Sequence, residues 1–202
     1  MFDALLLPTQ HRLLAGPASW LAARGVPANA VTLAGFGVGL AAVPLLALGH
    51  FGAALWCIAG NRLLDGLDGA VARRAGPTDR GAFLDITLDF FFYAAVPFGF
   101  ALADPAANAL AAAGLILAFV GTGSSFLAYA TIAAKRGLIA ADFPRKGFYY
   151  LGGLTEGTET IAAFVVFCLW PRSFPMAAAA FAILCALTTA TRWWWGWRAF
   201  SP

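Results

Sequence analysis

Four aspartates lie close together in a sequence that is otherwise strongly apolar. Asp65 and Asp68 are three positions apart, and Asp85 and Asp89 are four positions apart. Residues with these spacings lie on the same face of an α-helix, so each pair presents two carboxylates in one direction. Ionisable side chains within apolar segments are energetically costly and usually mark a functional site. The spacing therefore predicts two acidic helix faces that form one site.

The seven residues between Arg73 and Gly81 are predicted to bring the two acidic faces together. This segment contains a Gly-Pro pair at positions 76 and 77, which favours a turn. A short connection makes the two helices antiparallel, so that all four carboxylates can converge. Oxygen ligands without a nearby His or Cys select a hard cation, meaning Mg²⁺, Mn²⁺ or Ca²⁺. Four carboxylates suit two such ions that bridge a diphosphate, which favours phosphoryl transfer.

Three neighbours of the first acidic pair favour a phosphate-containing ligand. Gly69 and Ala72 are small and lie on or beside the acidic face, which leaves space for a ligand against the helix backbone. Arg73 adds a cation that suits phosphate oxygens. The spacing also leaves open a Na⁺ or H⁺ site of a transporter, or a structural role. Transporters usually place such groups near the bilayer midplane, in segments related by an internal repeat, and the sequence shows no repeat.

The composition predicts a membrane protein. The chain has 202 residues, of which 61% are hydrophobic and 11% are charged, and its mean hydropathy is +0.77. A soluble domain usually has roughly a quarter of its residues charged. The net charge is only +3, and no basic cluster is interleaved with aromatic residues, which argues against a nucleic-acid partner. Cys57, Cys168 and Cys185 lie in apolar runs without ligand-like spacing and are interpreted as buried thiols.

Six apolar runs are predicted to form six transmembrane helices in an all-α integral membrane fold. Residues 1–24 are too interrupted to cross and are predicted to be an interfacial amphipathic segment. Residues 25–202 are predicted to form one catalytic domain. Gly35 and Gly39 have the GxxxG spacing, which allows a close helix approach within the chain or across a dimer. The six runs cover about residues 30–49, 52–74, 81–103, 107–133, 155–170 and 174–197.

The cations of the chain are concentrated on one side of the predicted bundle. The loops on the other side contain only Arg172. Because cytoplasmic loops are enriched in Lys and Arg, both termini and the acidic site are predicted to be cytoplasmic, at the inner (plasma) membrane if the protein is bacterial. The cations assigned to this side are Arg12, Arg24, Arg73, Arg74, Arg80, Lys135, Arg136, Arg145, Lys146, Arg192 and Arg198.

The acidic segment resembles the signature of the CDP-alcohol phosphotransferase family, also called CDP-alcohol phosphatidyltransferases. Every fixed position of that signature is present. The resemblance implies a six-helix membrane enzyme, usually a homodimer, which transfers a phosphatidyl or phosphoalcohol group from a CDP-linked donor to a hydroxyl and releases CMP. The matching residues are Asp65-x-x-Asp68-Gly69-x-x-Ala72-Arg73 and Gly81-x-x-x-Asp85-x-x-x-Asp89.

The resemblance also implies a role for each residue of the signature. Asp65, Asp68 and Asp85 would hold divalent metal, and Asp89 would complete the metal site and act as the general base. Residues 27–32, "PANAVT", resemble the family's Pro-Asn-x-(Val/Ile)-Thr motif, with Ala28 in place of proline. The residues that would contact the CDP moiety are Asn29, Thr32, Asp65, Gly69, Ala72, Arg73 and Gly81.

Two features depart from the family pattern. The connection between Arg73 and Gly81 has seven residues where eight are common, and Phe90 follows the last aspartate where members often have a basic residue. A loop change of one residue leaves both helix faces intact. Neither departure removes a chemical group that the mechanism needs. Arg62 lies three residues before Asp65 and can pair with an acid, although its role is open.

The predicted function is phospholipid synthesis, by transfer of a phosphatidyl group from CDP-diacylglycerol to a small polar alcohol, with two Mg²⁺ or Mn²⁺ ions. Glu156 and Glu159 favour an uncharged polyol or an amine-bearing alcohol as acceptor, unless they only complement a helix dipole. Lys135, Arg136, Arg145 and Lys146 are further candidates, or else cytoplasmic-side signals. The alternatives are transfer of a CDP-linked headgroup to diacylglycerol, a cation-coupled transporter, and a catalytically inactive lipid-binding relative.

Overall fold

The computed structural model describes residues 3–137 and 154–201, and this part of the chain is helical without strands. Each of the six predicted apolar runs coincides with a helix, except that the first run is divided into two. Pro44 lacks the N–H that would bond to Leu40, which explains the interruption at Ala41. The helices are α1 Asp3–Ala23, α2 Ala28–Leu40, α3 Ala42–Ala47, α4 Phe51–Ala75, α5 Asp79–Ala103, α6 Pro105–Lys135, α7 Gly157–Leu169 and α8 Phe174–Ala199.

Within residues 3–137 and 154–201, four helical segments are long and apolar enough to cross a membrane: Ala28–Ala47, Asp79–Ala103, Pro105–Lys135 and Pro171–Ala199. Helix α4 has the length, but it carries the first acidic pair and three arginines. Helix α7 has 13 residues, fewer than the roughly 20 that a crossing needs. The all-helical class is therefore confirmed, while the count of six crossings and the interfacial position of α1 stay predictions.

Glycines in α2 allow this helix to lie directly against α4. A Cβ atom at Gly35 would be 2.9 Å from the Cβ of Leu64, and one at Gly39 would be 2.8 Å from the Asn61 amide nitrogen. The amide of Asn61 donates to the carbonyl of Gly35 at 2.9 Å, which links the two backbones. The GxxxG spacing therefore serves a helix contact within the chain.

The connection between α4 and α5 is a tight turn with identifiable local causes. Gly76 ends α4 with φ +96°, a conformation that other residues rarely adopt. Pro77 follows, and the hydroxyl of Thr78 accepts a hydrogen bond from the Gly81 amide at 3.1 Å, which caps α5. Asp79 lies in the first turn of α5, where a negative charge suits the helix dipole. The two acidic helices thereby run antiparallel, with α2 packed against both of them.

Helix α1 is attached to the end of α4 that carries this turn. Leu14 and Ala18 pack with Ala70 and Val71 in a small apolar cluster. The guanidinium of Arg74 donates to the Ser19 hydroxyl at 3.0 Å and to a backbone carbonyl of α1 at 3.1 Å. The N-terminal segment is thus held beside the acidic region.

Aromatic side chains form the core at the opposite end of α5. Phe100 stacks on Phe174 with ring centroids 4.4 Å apart, and Phe167 packs edge-on against both rings. Large apolar side chains also face outward, including Leu110 at 88% and Trp56 at 81% exposure. Such extensive apolar exposure suits a lipid environment. These three rings join α5, α7 and α8. The buried cluster that contains them extends along α5 to Phe92, next to the acidic end.

The α2–α4 contact can be tested with two glycines of the same helix. We expect Gly39→Leu to destabilise the protein by about 3 kcal/mol, because the new side chain overpacks a buried contact. Gly37→Leu is the control, because a Cβ at Gly37 meets no atom within 4 Å. Thermal unfolding in detergent, followed by tryptophan fluorescence, measures both. Equal stability of the two variants would contradict the proposed packing.

Candidate functional site

Three of the four predicted aspartates converge at one point between α4 and α5. Asp65, Asp85 and Asp89 each have a carboxylate oxygen, and these oxygens lie within 4.8 Å of one another. Asp65 and Asp89 are partly buried, while Asp85 is exposed. Carboxylates at such distances repel one another unless a positive charge lies among them. A divalent cation bound among these three oxygens would offset the repulsion between them.

Asp68 lines the same cavity as these three residues. It is buried, and its Oδ2 has no hydrogen-bond partner among the described residues. A buried polar atom without a partner is destabilising by about 1–3 kcal/mol, and by more when it is charged. A bound hard cation would satisfy this oxygen, because carboxylate oxygens are the ligands that Mg²⁺ and Mn²⁺ prefer. The residues of the site therefore fit the divalent ions that the sequence predicts.

The cavity lies between α2, α4 and α5 and has two chemically different sides. Thr32 and Asn61 add polar groups to the carboxylates, whereas Phe36 and Leu88 provide an apolar side. This combination suits a ligand that has both a charged and a lipid part. Among the described residues, the cavity is lined by Thr32, Gly35, Phe36, Asn61, Asp65, Asp68, Asp85, Leu88 and Asp89.

Arg62 is bound to the acidic cluster. Its NH2 donates to the Oδ1 of Asp89 at 2.6 Å, and its NH1 lies 3.5 Å from the Oδ2 of Asp65. The side chain of Arg62 is only 17% exposed. A charge-assisted hydrogen bond of this length is strong, particularly away from water. The sequence left the role of this arginine open, and the structure pairs it with two of the acids.

The residues predicted to contact CDP lie near the turn between α4 and α5, and only part of them line the cavity. A Cβ at Gly81 would be 3.1 Å from the Oδ1 of Asn29, so the start of α5 lies beside the start of α2. Arg73 is exposed, and its NH1 would be 3.3 Å from a Cβ at Gly69. Ala72 is half-buried one position before Arg73. Gly69, Ala72, Arg73, Gly81 and Asn29 lie outside the described lining, whereas Thr32 and Asp65 belong to it.

Glu156, Glu159 and Arg136, which are predicted to contact the acceptor, have local structural partners. Glu156 and Glu159 form a capping box at the start of α7, in which the Glu159 carboxylate accepts from the Glu156 amide at 3.1 Å. Arg136 donates to the carbonyl of Phe200 at 2.7 Å, at the end of α8. Lys135 is exposed in the last turn of α6. Arg145 and Lys146 lie outside the described residues.

Asn61 is a residue of the site that sequence reasoning missed. It is 4% exposed, lines the cavity, and accepts a hydrogen bond from the Nε of Arg62 at 2.8 Å. A usable signal was present, because an amide beside an arginine in an apolar run needs a buried partner. Phe36 and Leu88 gave no such signal, since apolar residues in a membrane helix are expected on every face.

Comparisons with known proteins agree with this geometry. The sequence profile of the CDP-alcohol phosphatidyltransferase family matches residues 26–199. The inner membrane protein YnjF of Escherichia coli K12 is 54% identical over 197 residues, which cover 98% of this chain and 96% of YnjF. This relative and the four apolar helices identify the chain as an integral membrane protein.

Two crystal structures have a similar fold, both of phosphatidylinositol phosphate synthase (PgsA1) from Mycobacterium tuberculosis. The structure with CDP-DAG bound has a TM-score of 0.65 and 25% identity, and the match covers 92% of this chain and 94% of that chain. The structure in complex with manganese and citrate has a TM-score of 0.64 and 24% identity, and the match covers 91% and 88%.

The fit of the site to a divalent cation can be tested by Mn²⁺ binding. We expect Asp68→Asn to weaken binding about tenfold or more, because the charge of the ligands sets cation affinity. Asp79→Asn is the control, since it removes an equal charge from an exposed position in the first turn of α5. Electron paramagnetic resonance of the purified protein measures free Mn²⁺ directly. If Asp68→Asn and Asp79→Asn weakened Mn²⁺ binding equally, the cation could not be bound mainly by the carboxylates of the cavity.

Proposed function

Because the chain belongs to the CDP-alcohol phosphatidyltransferase family and is therefore a CDP-alcohol phosphotransferase, we propose that it transfers the phosphatidyl group of CDP-diacylglycerol to a small polar alcohol. The convergence of the signature aspartates around one cavity is the observation that carries this proposal. Membership of an enzyme family argues against the transporter and the inactive relative. Phosphatidyl transfer is preferred to headgroup transfer because the similar PgsA1 structure has CDP-DAG bound.

In this proposal Asp65, Asp68, Asp85 and Asp89 hold two divalent ions, Mg²⁺ or Mn²⁺. When bound, these ions would neutralise the charge of the diphosphate and of the departing CMP. Arg73 is exposed near the turn and would reach phosphate oxygens of the donor. The other contacts to the CDP moiety are assigned to Asn29, Thr32, Asp65, Gly69, Ala72 and Gly81.

Asp89 is proposed as the general base. A hydroxyl is a poor nucleophile at neutral pH, and a carboxylate within hydrogen-bond reach can take its proton during attack. The acceptor oxygen then bonds to the phosphorus that carries diacylglycerol, the bond from that phosphorus to CMP breaks, and the proton remains on Asp89. Asp89 lies one helical turn further from the α4–α5 connection than Asp85, beside the apolar residue Leu88 of the cavity. At this position Asp89 can contact the hydroxyl of a polar acceptor next to the apolar surface that would bind the lipid donor.

The acceptor is proposed to be an uncharged polyol or an amine-bearing alcohol. Glu156 and Glu159 would bind its hydroxyl or amine groups at the start of α7, in addition to their capping contacts. Lys135 and Arg136 at the end of α6 are the second candidates. The hydrogen bond from Arg136 to the end of α8 makes Arg136 the weaker of these two.

We also propose how the protein sits in the membrane. Residues 25–202 would form one catalytic domain with six crossings, and α1 would lie at the interface. The distribution of Lys and Arg favours cytoplasmic termini and a cytoplasmic active site. Homodimer formation follows from the family resemblance and would leave the α2–α4 contact inside each protomer.

The proposed reaction is tested by product analysis with labelled CDP-diacylglycerol. The purified protein in detergent should release CMP only when a divalent ion and a suitable alcohol are both present. A panel of acceptors should include polyols, amine-bearing alcohols and their phosphorylated forms, with lipid products separated by chromatography. We expect uncharged or amine-bearing acceptors to react. Product formation only from a CDP-linked headgroup and diacylglycerol would contradict the proposed direction of transfer.

The role of Asp89 is tested by Asp89→Asn, which keeps the shape of the side chain but removes its ability to accept a proton. We expect kcat to fall by about 10²–10⁴-fold, the usual contribution of a general base. Binding of the CDP donor should be retained. Asp79→Asn serves as the control. An Asp89→Asn variant with near-normal turnover would exclude this residue as the base.

A further inference from the structure

The guanidinium of Arg62 uses all three of its nitrogens within the protein. NH2 binds Asp89 at 2.6 Å, and Nε donates to the Oδ1 of Asn61 at 2.8 Å. NH1 donates to the Tyr93 hydroxyl at 3.3 Å and lies 3.5 Å from Asp65. A group committed in this way has little capacity left for a phosphate of the substrate. Its function must therefore be sought in what it does to the carboxylates.

Aromatic rings and a neighbouring helix hold Arg62 in place. The guanidinium carbon lies 5.0 Å from the ring centroid of Phe92 and 5.5 Å from that of Tyr93, distances at which cation–π attraction operates. Asn61, which accepts from Arg62, also donates to the Gly35 carbonyl of α2. The arginine is thus the centre of a network that joins α2, α4 and α5. Its position is determined by several contacts and does not depend on the acids alone.

Arg62 lies behind the acidic cluster as seen from the turn between α4 and α5. It precedes Asp65 by almost one helical turn on the side away from that turn, and Asp89 is likewise the deeper member of its pair. The arginine is absent from the described lining of the cavity, whereas both of its acidic partners belong to it. Arg62 therefore contacts Asp65 and Asp89 on the side away from the α4–α5 turn, while both aspartates line the cavity.

We propose that Arg62 is a positioning residue that orients Asp89 and supplies the positive charge that allows the carboxylates to converge before divalent ions bind. Only the predicted effect on kcat rests on the proposed function, whereas the predicted effect on cation affinity does not. Two effects follow, and they have opposite signs. The charge of Arg62 lowers the affinity of the cluster for cations. Its hydrogen bond to one oxygen of Asp89 raises the rate, because it holds the base in one orientation.

The two effects can be separated by two substitutions in the full-length protein. Arg62→Gln removes the charge, and we expect Mn²⁺ to bind about threefold tighter or more, because a nearby like charge has been removed. We expect kcat for CMP release to fall by about 30-fold or more, through misorientation of the base, with the donor KM little changed. Arg62→Lys restores the charge but not the planar fork of donors. It should return Mn²⁺ affinity to the wild-type value while kcat stays about tenfold low.

The matched control is Arg172→Gln. Arg172 is exposed and precedes Phe174, which stacks on Phe100 at the end of α5 away from the aspartates. This variant removes the same charge and should leave both Mn²⁺ affinity and kcat unchanged. Tyr93→Phe is the second test, because it deletes only the hydroxyl that contacts Arg62. It should lower kcat by a smaller factor than Arg62→Gln, without change in Mn²⁺ affinity, and it remains informative if Arg62→Gln does not fold.

The possible results distinguish this inference from failure of the proposed reaction. Mn²⁺ binding is measured without substrate, so the charge effect is tested even if wild-type protein releases no CMP. Weaker Mn²⁺ binding by Arg62→Gln, or unchanged binding, would overturn the charge effect. Normal kcat in Arg62→Gln or in Tyr93→Phe would overturn the positioning role. Full recovery of kcat in Arg62→Lys would show that charge, and not geometry, is what the reaction requires.

Discussion

Four carboxylates on two adjacent helices repel one another, and the surrounding structure depends on how that repulsion is offset. Asp65, Asp85 and Asp89 bring oxygens within 4.8 Å of each other in a mostly apolar bundle. In such surroundings a charge without compensation is strongly destabilising. Arg62 provides one compensating charge from within the chain. The Oδ2 of Asp68 has no hydrogen-bond partner in the part of the chain that the structure describes, so a bound cation is the group that would offset its charge. A site built in this way is arranged to receive hard cations.

Convergence of the acids also requires three helices to approach closely. The turn after Gly76 makes α4 and α5 antiparallel, and glycines at positions 35 and 39 let α2 lie against α4. Helix α2 also packs against α5. Any side chain at those two positions would meet Leu64 or Asn61 at less than 3 Å. Asn61 donates to the Gly35 carbonyl of α2 and accepts from Arg62, so it links the α2–α4 contact to the arginine that binds the aspartates. Packing and electrostatics therefore support each other at the same place.

The cavity has the chemical character that transfer of a lipid-linked phosphate needs. Carboxylates and Thr32 line it together with Phe36 and Leu88, so a charged and an apolar surface are adjacent. The helices around it are apolar on their outer faces, which suits direct access for a lipid. The chain belongs to the CDP-alcohol phosphatidyltransferase family, whose reaction transfers a phosphate-containing group of this kind. The aromatic core is centred at the other end of α5 and extends along that helix to Phe92 and Tyr93, whose rings contact Arg62.

The sequence by itself determined the helical class, the positions of the helices, the family and the four aspartates, because helical periodicity and a local motif depend only on residues near one another in the chain. It did not determine that Arg62 binds Asp89, a residue 27 positions away. It also did not assign Asn61 to the cavity, or show that Gly35 and Gly39 face α4 instead of a second protomer. Those contacts join different helices. Their existence depends on the rotation of each helix about its axis, which only packing in three dimensions decides.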